Sequence, residues 1–275
     1  MSYFGPPSGY GRFDAGGNVS TTCGTNTKGS YVTNIASTAF DAAAVIVEMS
    51  GADTSNTTYL VDIAVGAAGS EQVIIPNLSV ENCTGGNQYG IPLVFPISVP
   101  AGTRLSCRAS AQSGTPTIAV YVTIIGGAFA DYGTMGRVTT YGTDTANSRG
   151  ALMTCPGSGA GTYAQLSAST TNPIKGFLVS LTTPAGYSGS LDYLGTLDIA
   201  VGAAGSEQLI LTALPICTRP GDNAGAAVKG KVWCCTPMWI PFVPCNIPAG
   251  TRLAARLVFA TGAANNICIS IHGVD

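Results

Sequence analysis

Charge is scarce in this sequence. Asp, Glu, Lys and Arg make up 9% of its 275 residues, against about 25% in an ordinary soluble protein. The 12 basic residues are scattered and the net charge is −2. That excludes the basic stripe of a nucleic-acid binder and the like-charge block of an interaction tail. There is a single histidine, His272. A catalytic triad would need a nucleophile and an orienting carboxylate beside it, and no Gly-x-Ser-x-Gly elbow is present. The nearest stretch, Gly186-Tyr-Ser-Gly-Ser190, lacks the second glycine in the right place. His272 is therefore expected as an exposed strand residue. No C-x-x-C pair occurs, and the adjacent Cys234 and Cys235 point to opposite faces of a strand, so a zinc site is not expected. No glycine-rich stretch leads into a helix as a phosphate-binding loop does. No cofactor or metal is expected. No apolar run approaches the ~18 residues of a membrane span. The first residues, Met1-Ser-Tyr-Phe-Gly-Pro-Pro, have neither a basic start nor an apolar core, so no signal peptide is expected. No stretch sustains a helical period between caps, so helix content should be minor.

What is present is repetition. Asp62-Ile-Ala-Val-Gly-Ala-Ala-Gly-Ser-Glu-Gln72 returns letter for letter as Asp198-Ile-Ala-Val-Gly-Ala-Ala-Gly-Ser-Glu-Gln208. Pro100-Ala-Gly-Thr-Arg-Leu105 returns as Pro248-Ala-Gly-Thr-Arg-Leu253. Such identity reads as an internal duplication. Short apolar runs alternate with Gly, Ser, Thr, Asn and Pro clusters, the pattern of a sandwich or barrel. The expected fold is all-β: two tandem antiparallel β-sandwich or jelly-roll-like domains. Module 1 spans 18–126 and module 2 spans 137–275, joined by a glycine-rich linker at 127–136. Tyr59, Val61, Ile63 and Val65 alternate along one strand, and Leu105, Cys107 and Ala109 along another. Gly66–Gly69 reads as a hairpin turn. Pro92 and Pro96 confine the stretch between them to an edge or bulged strand. Between the shared blocks module 1 has 27 residues (73–99) and module 2 has 39 (209–247). The nine cysteines are expected mostly as free thiols of a reducing cytoplasm.

Three sets of residues stand out. Residues 1–17 read as an arm, with Tyr3, Phe4, Tyr10 and Phe13 set among glycines and prolines that oppose regular structure. Its aromatics suit docking on a partner or folding back on module 1. The insertion at 209–247 holds both tryptophans, Trp233 and Trp239. These suit either a contact surface or the larger core of module 2. Last, Asp62, Glu71, Arg104 and Arg108 recur as Asp198, Glu207, Arg252 and Arg256. In so uncharged a chain they read as internal ion pairs: Glu71 with Arg104 or Arg108, and Glu207 with Arg252 or Arg256.

The block Ile63-Ala-Val-Gly-Ala-Ala-Gly-Ser-Glu-Gln72, then Ile75-Pro-Asn-Leu78, then Pro100-Ala-Gly-Thr-Arg-Leu105, resembles a module found in virion structural proteins of tailed bacteriophages. The lead-in Asn26-Thr-Lys-Gly-Ser30 and Ser37-Thr-Ala-Phe40 fits the same pattern. Module 2 departs from it where Leu211-Thr-Ala-Leu214 replaces Ile75-Pro-Asn-Leu78. The resemblance implies a jelly-roll-like module with a place on the particle and no catalytic residues. The expected role is a non-enzymatic component of the virion, made in the bacterial host cytoplasm, decorating the head or joined to the tail. Its expected partners are other virion structural proteins and further copies of itself. The alternative is a receptor- or glycan-binding module of a tail fibre or tip, with Trp233, Trp239, Tyr187 and Tyr193 stacking on sugars. An esterase or glycosidase would need an activated nucleophile or two close carboxylates.

Overall fold

The computed structural model describes residues 12–16, 19–51, 57–82, 92–126, 136–154, 159–182, 193–219, 231–234, 242–261 and 266–275. Every regular element among them is a β-strand, and among the described residues no helix is long and apolar enough to cross a membrane. The first half supplies β1 (Arg12–Ala15), β2 (Val19–Thr22), β3 (Gly24–Thr25), β4 (Val32–Ile35), β5 (Ala42–Gly51), β6 (Thr57–Val65), β7 (Gln72–Asn82), β8 (Leu93–Phe95), β9 (Leu105–Ala111) and β10 (Thr117–Gly126). They form two sheets. One has the order β1-β10-β5-β8 with β2 also on β10, and the other β3-β9-β6-β7 with β4 also on β9. The chain passes back and forth between the two sheets in the jelly-roll order.

The second half supplies β11 (Val138–Tyr141), β12 (Ala151–Met153), β13 (Gly159–Ala160), β14 (Ala164–Ser167), β15 (Ile174–Thr182), β16 (Tyr193–Val201), β17 (Gln208–Arg219), β18 (Lys231–Cys234), β19 (Val243–Ile247), β20 (Leu253–Thr261) and β21 (Ile267–Val274). Their sheets run β11-β21-β15-β19, with β12 on β21, and β13-β20-β16-β17-β18, with β14 on β20. The strand order of the first half thus recurs, with β18 added beyond β17 from the longer segment. One pairing differs: β3 meets β9 in parallel, whereas β13 meets β20 antiparallel.

Period-2 alternation builds both cores. Tyr59, Val61 and Ile63 face Leu105, Cys107 and Ala109 on one sheet and Ile118, Val120, Val122 and Ile124 on the other, all buried. Leu197, Ile199, Leu253, Ala255, Leu257, Ile267, Ile269 and Ile271 do the same in module 2. Flanked by Pro92 and Pro96, β8 is an edge strand on β5. One boundary moves. Residues 12–15 of the expected arm form β1, paired with Thr123–Gly126 of β10. Arg12-Phe-Asp-Ala15 lies between Gly11 and Gly16 with no glycine or proline of its own, so it is free to extend and bond.

The modules meet over an unexpected surface. Strand β21 is buried along its whole length. Its inward residues Ile267, Ile269 and Ile271 serve the core of module 2. The opposite face of the same sheet closes the flank of module 1 between edge strands β7 and β8. Val138, Leu178 and Val274 belong to the hydrophobic core of module 1 rather than that of their own module. Three such buried side chains contribute roughly 1.5–3 kcal/mol each. The hydroxyl contact Ser79 Oγ to Ser270 Oγ, 3.3 Å, contributes only about 1 kcal/mol net. Apolar burial therefore holds the junction, and the hydroxyls fix its register.

Candidate functional site

The recurring charges form two linked clusters in each module. The first is built around a bulge. On β7, Pro76 and Asn77 together oppose the single residue Asp62 of β6, because the register runs from Val61↔Leu78 to Ile63↔Ile75. A bulge leaves a backbone N–H without its ladder partner. Asn77 sits at φ 52°, and its N–H donates to Asp62 Oδ1 at 2.9 Å. Arg108 lies directly across from Asp62 on β9 and donates from Nε to Oδ2 at 3.0 Å. Lys28 Nζ adds a third bond, 2.8 Å to Oδ1. Burial draws the Lys28 ammonium pKa below its ordinary value, and Asp62 opposes that shift. The Arg108 guanidinium is 4.6 Å from the centre of the Tyr31 ring, a cation–π contact.

Module 2 repeats the cluster with one member missing. Asp198 accepts from Ala213 N–H at 3.0 Å and from Arg256 Nε at 3.0 Å, and Arg256 covers Tyr163 at 4.6 Å. The stretch Lys28-Gly-Ser-Tyr31 has become Ala160-Gly-Thr-Tyr163, and among the described residues no lysine is bonded to Asp198. Thr212 Oγ1 lies 3.4 Å from it instead. Ala213 occupies the bulge at φ 54°, a left-handed conformation costing an alanine about 1–2 kcal/mol. Ala213→Gly should therefore raise stability by about 0.5–1 kcal/mol, after allowing for the extra freedom glycine gives the unfolded chain. A shift of the urea midpoint to higher concentration checks this; an unchanged or lower midpoint contradicts it.

The second cluster locks the hairpin turn. Gly66 and Gly69 take φ 111° and 83°. Glu71 Oε2 accepts the Gly69 N–H at 2.9 Å. Arg104 Nη1 donates to Glu71 Oε1 and to the Gly66 carbonyl, each at 3.0 Å. In module 2, Glu207 accepts from Gly205 N–H at 2.9 Å and from Arg252 at 3.1 Å. Partial burial works to raise both glutamate pKa values. The bonds from their own backbone N–H groups, from the arginines and from the turn glycines outweigh it, so both end below the ordinary range. Of the two arginines available to each glutamate, the structure brings in Arg104 and Arg252. Arg108 and Arg256 go to the aspartates.

His272 corrects an expectation. It is not exposed but fully buried at the junction, because the outer face of its sheet packs on module 1. Its ring meets Phe95 edge-on, with centroids 6.3 Å apart. Nδ1 lies 3.0 Å from Thr140 Oγ1 and Nε2 lies 2.8 Å from Ser180 Oγ. Thr140 spends its proton on the Pro76 carbonyl, which can only accept. Nδ1 therefore carries the ring proton, and Nε2 accepts from Ser180. Burial pushes the imidazole pKa down to about 3. Lys28 and the junction role of His272 escaped the sequence reading. Comparing Lys28 with Ala160 across the repeats would have flagged the first; nothing in the alternation around Cys268, Ser270 and His272 marks the second.

Tyr3, Phe4, Tyr10 and Trp239 lie outside the described residues, as do the side chains of Phe13 on β1 and Trp233 on β18. Tyr187 and the side chain of Tyr193 do too. Cys23, Cys107 and Cys245 carry free thiols, and burial pushes the first two up to about 12 and the third to about 11. Such thiols are poor nucleophiles. Among the described residues no group of three or more His, Cys, Asp or Glu is placed to hold a metal ion. No family model matches the chain, and no curated protein matches it. A solved structure titled "Structure of PNGF-II in C2 space group" is similar at 9% identity and a TM-score of 0.40. The match covers 92% of this chain and 61% of that one, so this chain spans less than two thirds of its length. A likeness that weak carries no inference about function.

Proposed function

We propose that this chain is a non-enzymatic structural component of a tailed-phage virion. It joins or decorates other particle proteins through residues 1–11 and its jelly-roll surfaces. One observation supports the reading above the others. The charged side chains in and beside the blocks that carry the resemblance are spent on scaffold: Asp62 on a bulge, Glu71 on a turn, Arg104 and Arg108 on those acids. That use suits a protein whose task is to hold shape. Few charges need to lose water when its surfaces meet others, so contact costs little. Many weak contacts on a particle add through multivalency. The test is a deletion. Removing residues 1–11 spares β1, which begins at Arg12, so the expected protein is folded but absent from assembled particles. Incorporation at the full-length level would refute the anchoring role.

A further inference from the structure

Charged and uncharged contacts divide along the module boundary. Among the described residues every ion pair joins two residues of one module. Lys28, Arg104 and Arg108 meet Asp62 and Glu71 in the first. Arg137, Arg252 and Arg256 meet Asp275, Glu207 and Asp198 in the second. The polar contacts across the junction join uncharged groups. Thr140 donates to the Pro76 carbonyl, Ser79 meets Ser270, and Ser148 Oγ lies 2.9 Å from Ser110 Oγ. Val138, Leu178 and Val274 supply the apolar part. His272 is the titratable group in that contact, and it is fully buried. Among the described residues no charged or titratable side chain faces its ring. Thr140 meets it from β11, Ser180 from β15, and Phe95 from β8 across the junction. The cores divide in the same way. Apart from Val138, Leu178 and Val274, the buried residues of the module 1 core come from residues 23–124. Those of the module 2 core come from residues 141–271. Each module has a core of its own to keep if the junction parts.

We infer that acid parts the two modules at this junction while both β-sandwiches stay folded. The sign follows from linkage. A parted junction puts the His272 ring in water, where it takes a proton near its ordinary pKa of 6.5. The closed junction refuses that proton down to about pH 3, and burial is the cause. Acid therefore favours the parted form. The equilibrium constant for parting rises by up to about tenfold for each pH unit between those limits. The ion pairs inside the modules answer to a different titration, since Glu71 and Glu207 are held below the ordinary carboxylate range. The apolar contacts of the junction must be overcome first. The closed form therefore still prevails near pH 5, and parting is expected by about pH 4. The inference concerns the purified protein and does not rest on the particle reading.

Small-angle scattering on the full-length chain tests it, with far-UV circular dichroism on the same samples. From pH 7 to pH 4 the radius of gyration should rise while the β-sheet spectrum holds. His272→Gln should stay compact at pH 4. Added NaCl at pH 7 should leave the radius unchanged, because the junction contacts are uncharged. A local probe covers the case in which His272→Gln does not fold. Ser270 lies at the junction against Ser79, whereas Cys23 and Cys107 lie in the core of module 1. In Ser270→Cys, a pyridyl disulfide, which reacts with thiols in acid, should reach position 270 when the junction parts. Its labelling rate there, relative to free cysteine, should rise by about 100-fold or more from pH 7 to pH 4. Cys23 and Cys107 should stay unlabelled at both. A radius that does not change between pH 7 and pH 4 overturns the inference. So does a β-sheet signal lost in step with the radius, or a folded His272→Gln that parts as the wild type does. Parting by salt at pH 7 overturns it too, as does labelling of Cys23 and Cys107 together with position 270.

Discussion

Replacing Asp62 with alanine is expected to cost about 3 kcal/mol of stability, the largest loss from any single charge in this chain. Removing one partner from a buried ion pair typically costs ~3–5 kcal/mol, because the other charge stays buried without compensation. Asp62 is 4% exposed and serves three donors at once: Lys28, Arg108 and the Asn77 N–H. The side chain of Arg108 is 32% exposed and that of Lys28 is 17% exposed. Water can therefore screen part of the loss, which places the expectation at the lower end of the range. Asp198→Ala should cost less, about 2 kcal/mol, because among the described residues Asp198 holds one cation instead of two. The ordering of the two variants in urea unfolding is the sharper check. Equal losses would mean that the Lys28 contact contributes nothing. Lys28→Met should offset part of the loss when combined with Asp62→Asn, since it removes the stranded ammonium.

Much of this architecture is legible in the sequence, and the reason is periodicity. Alternation at Tyr59–Val65 and Leu105–Ala109 marks strands with one face in a core. The glycines at 66 and 69 mark the turn, where the backbone does reach positive φ. The pairing of charges is only partly legible. Arg104 and Arg108 are four residues apart on a strand, so both lie on the same face. Alternation cannot choose which of them meets Glu71. Turn geometry chooses: the Gly66 N–H bonds the Arg104 carbonyl at 3.2 Å, which carries that side chain to the turn. Arg108 then lies across from Asp62. The bulge itself is hidden, because the residue at its left-handed position is asparagine in one module and alanine in the other. The junction is the least legible feature. Cys268, Ser270 and His272 alternate with isoleucines as a solvent-facing set would. Ser270 meets Ser79 of the neighbouring module through its hydroxyl and His272 meets Phe95 there through its ring, and a polar contact face and a wet face read alike in one sequence.

That hidden face carries the second large expectation: acid should loosen the protein while the glutamates of the turn clusters are still ionised. His272 is neutral in the folded chain, its pKa lowered from 6.5 to about 3 by burial. In the unfolded chain it titrates near its ordinary value. Between those two values the unfolded state binds a proton that the folded state refuses. The stabilisation is therefore complete above the unfolded pKa. It is lost progressively as pH falls from 6.5 towards 3, at about 1.4 kcal/mol per pH unit. Its surroundings offer no relief, because the ring faces two hydroxyls and the edge of Phe95 rather than a carboxylate. A proton on Nε2 would also turn the Ser180 hydroxyl from donor to acceptor. From pH 7 to pH 5 the expected loss is about 2 kcal/mol, in a range where the glutamates of the turn clusters, held below their ordinary values, stay ionised. Urea unfolding across that range is the measurement. His272→Gln keeps a polar group between Thr140 and Ser180 but cannot take up the proton, so its stability should be flat from pH 7 to 5. An equal slope in both proteins would mean that the titrating group lies elsewhere. A flat wild type would mean that the junction opens enough to let water reach the ring.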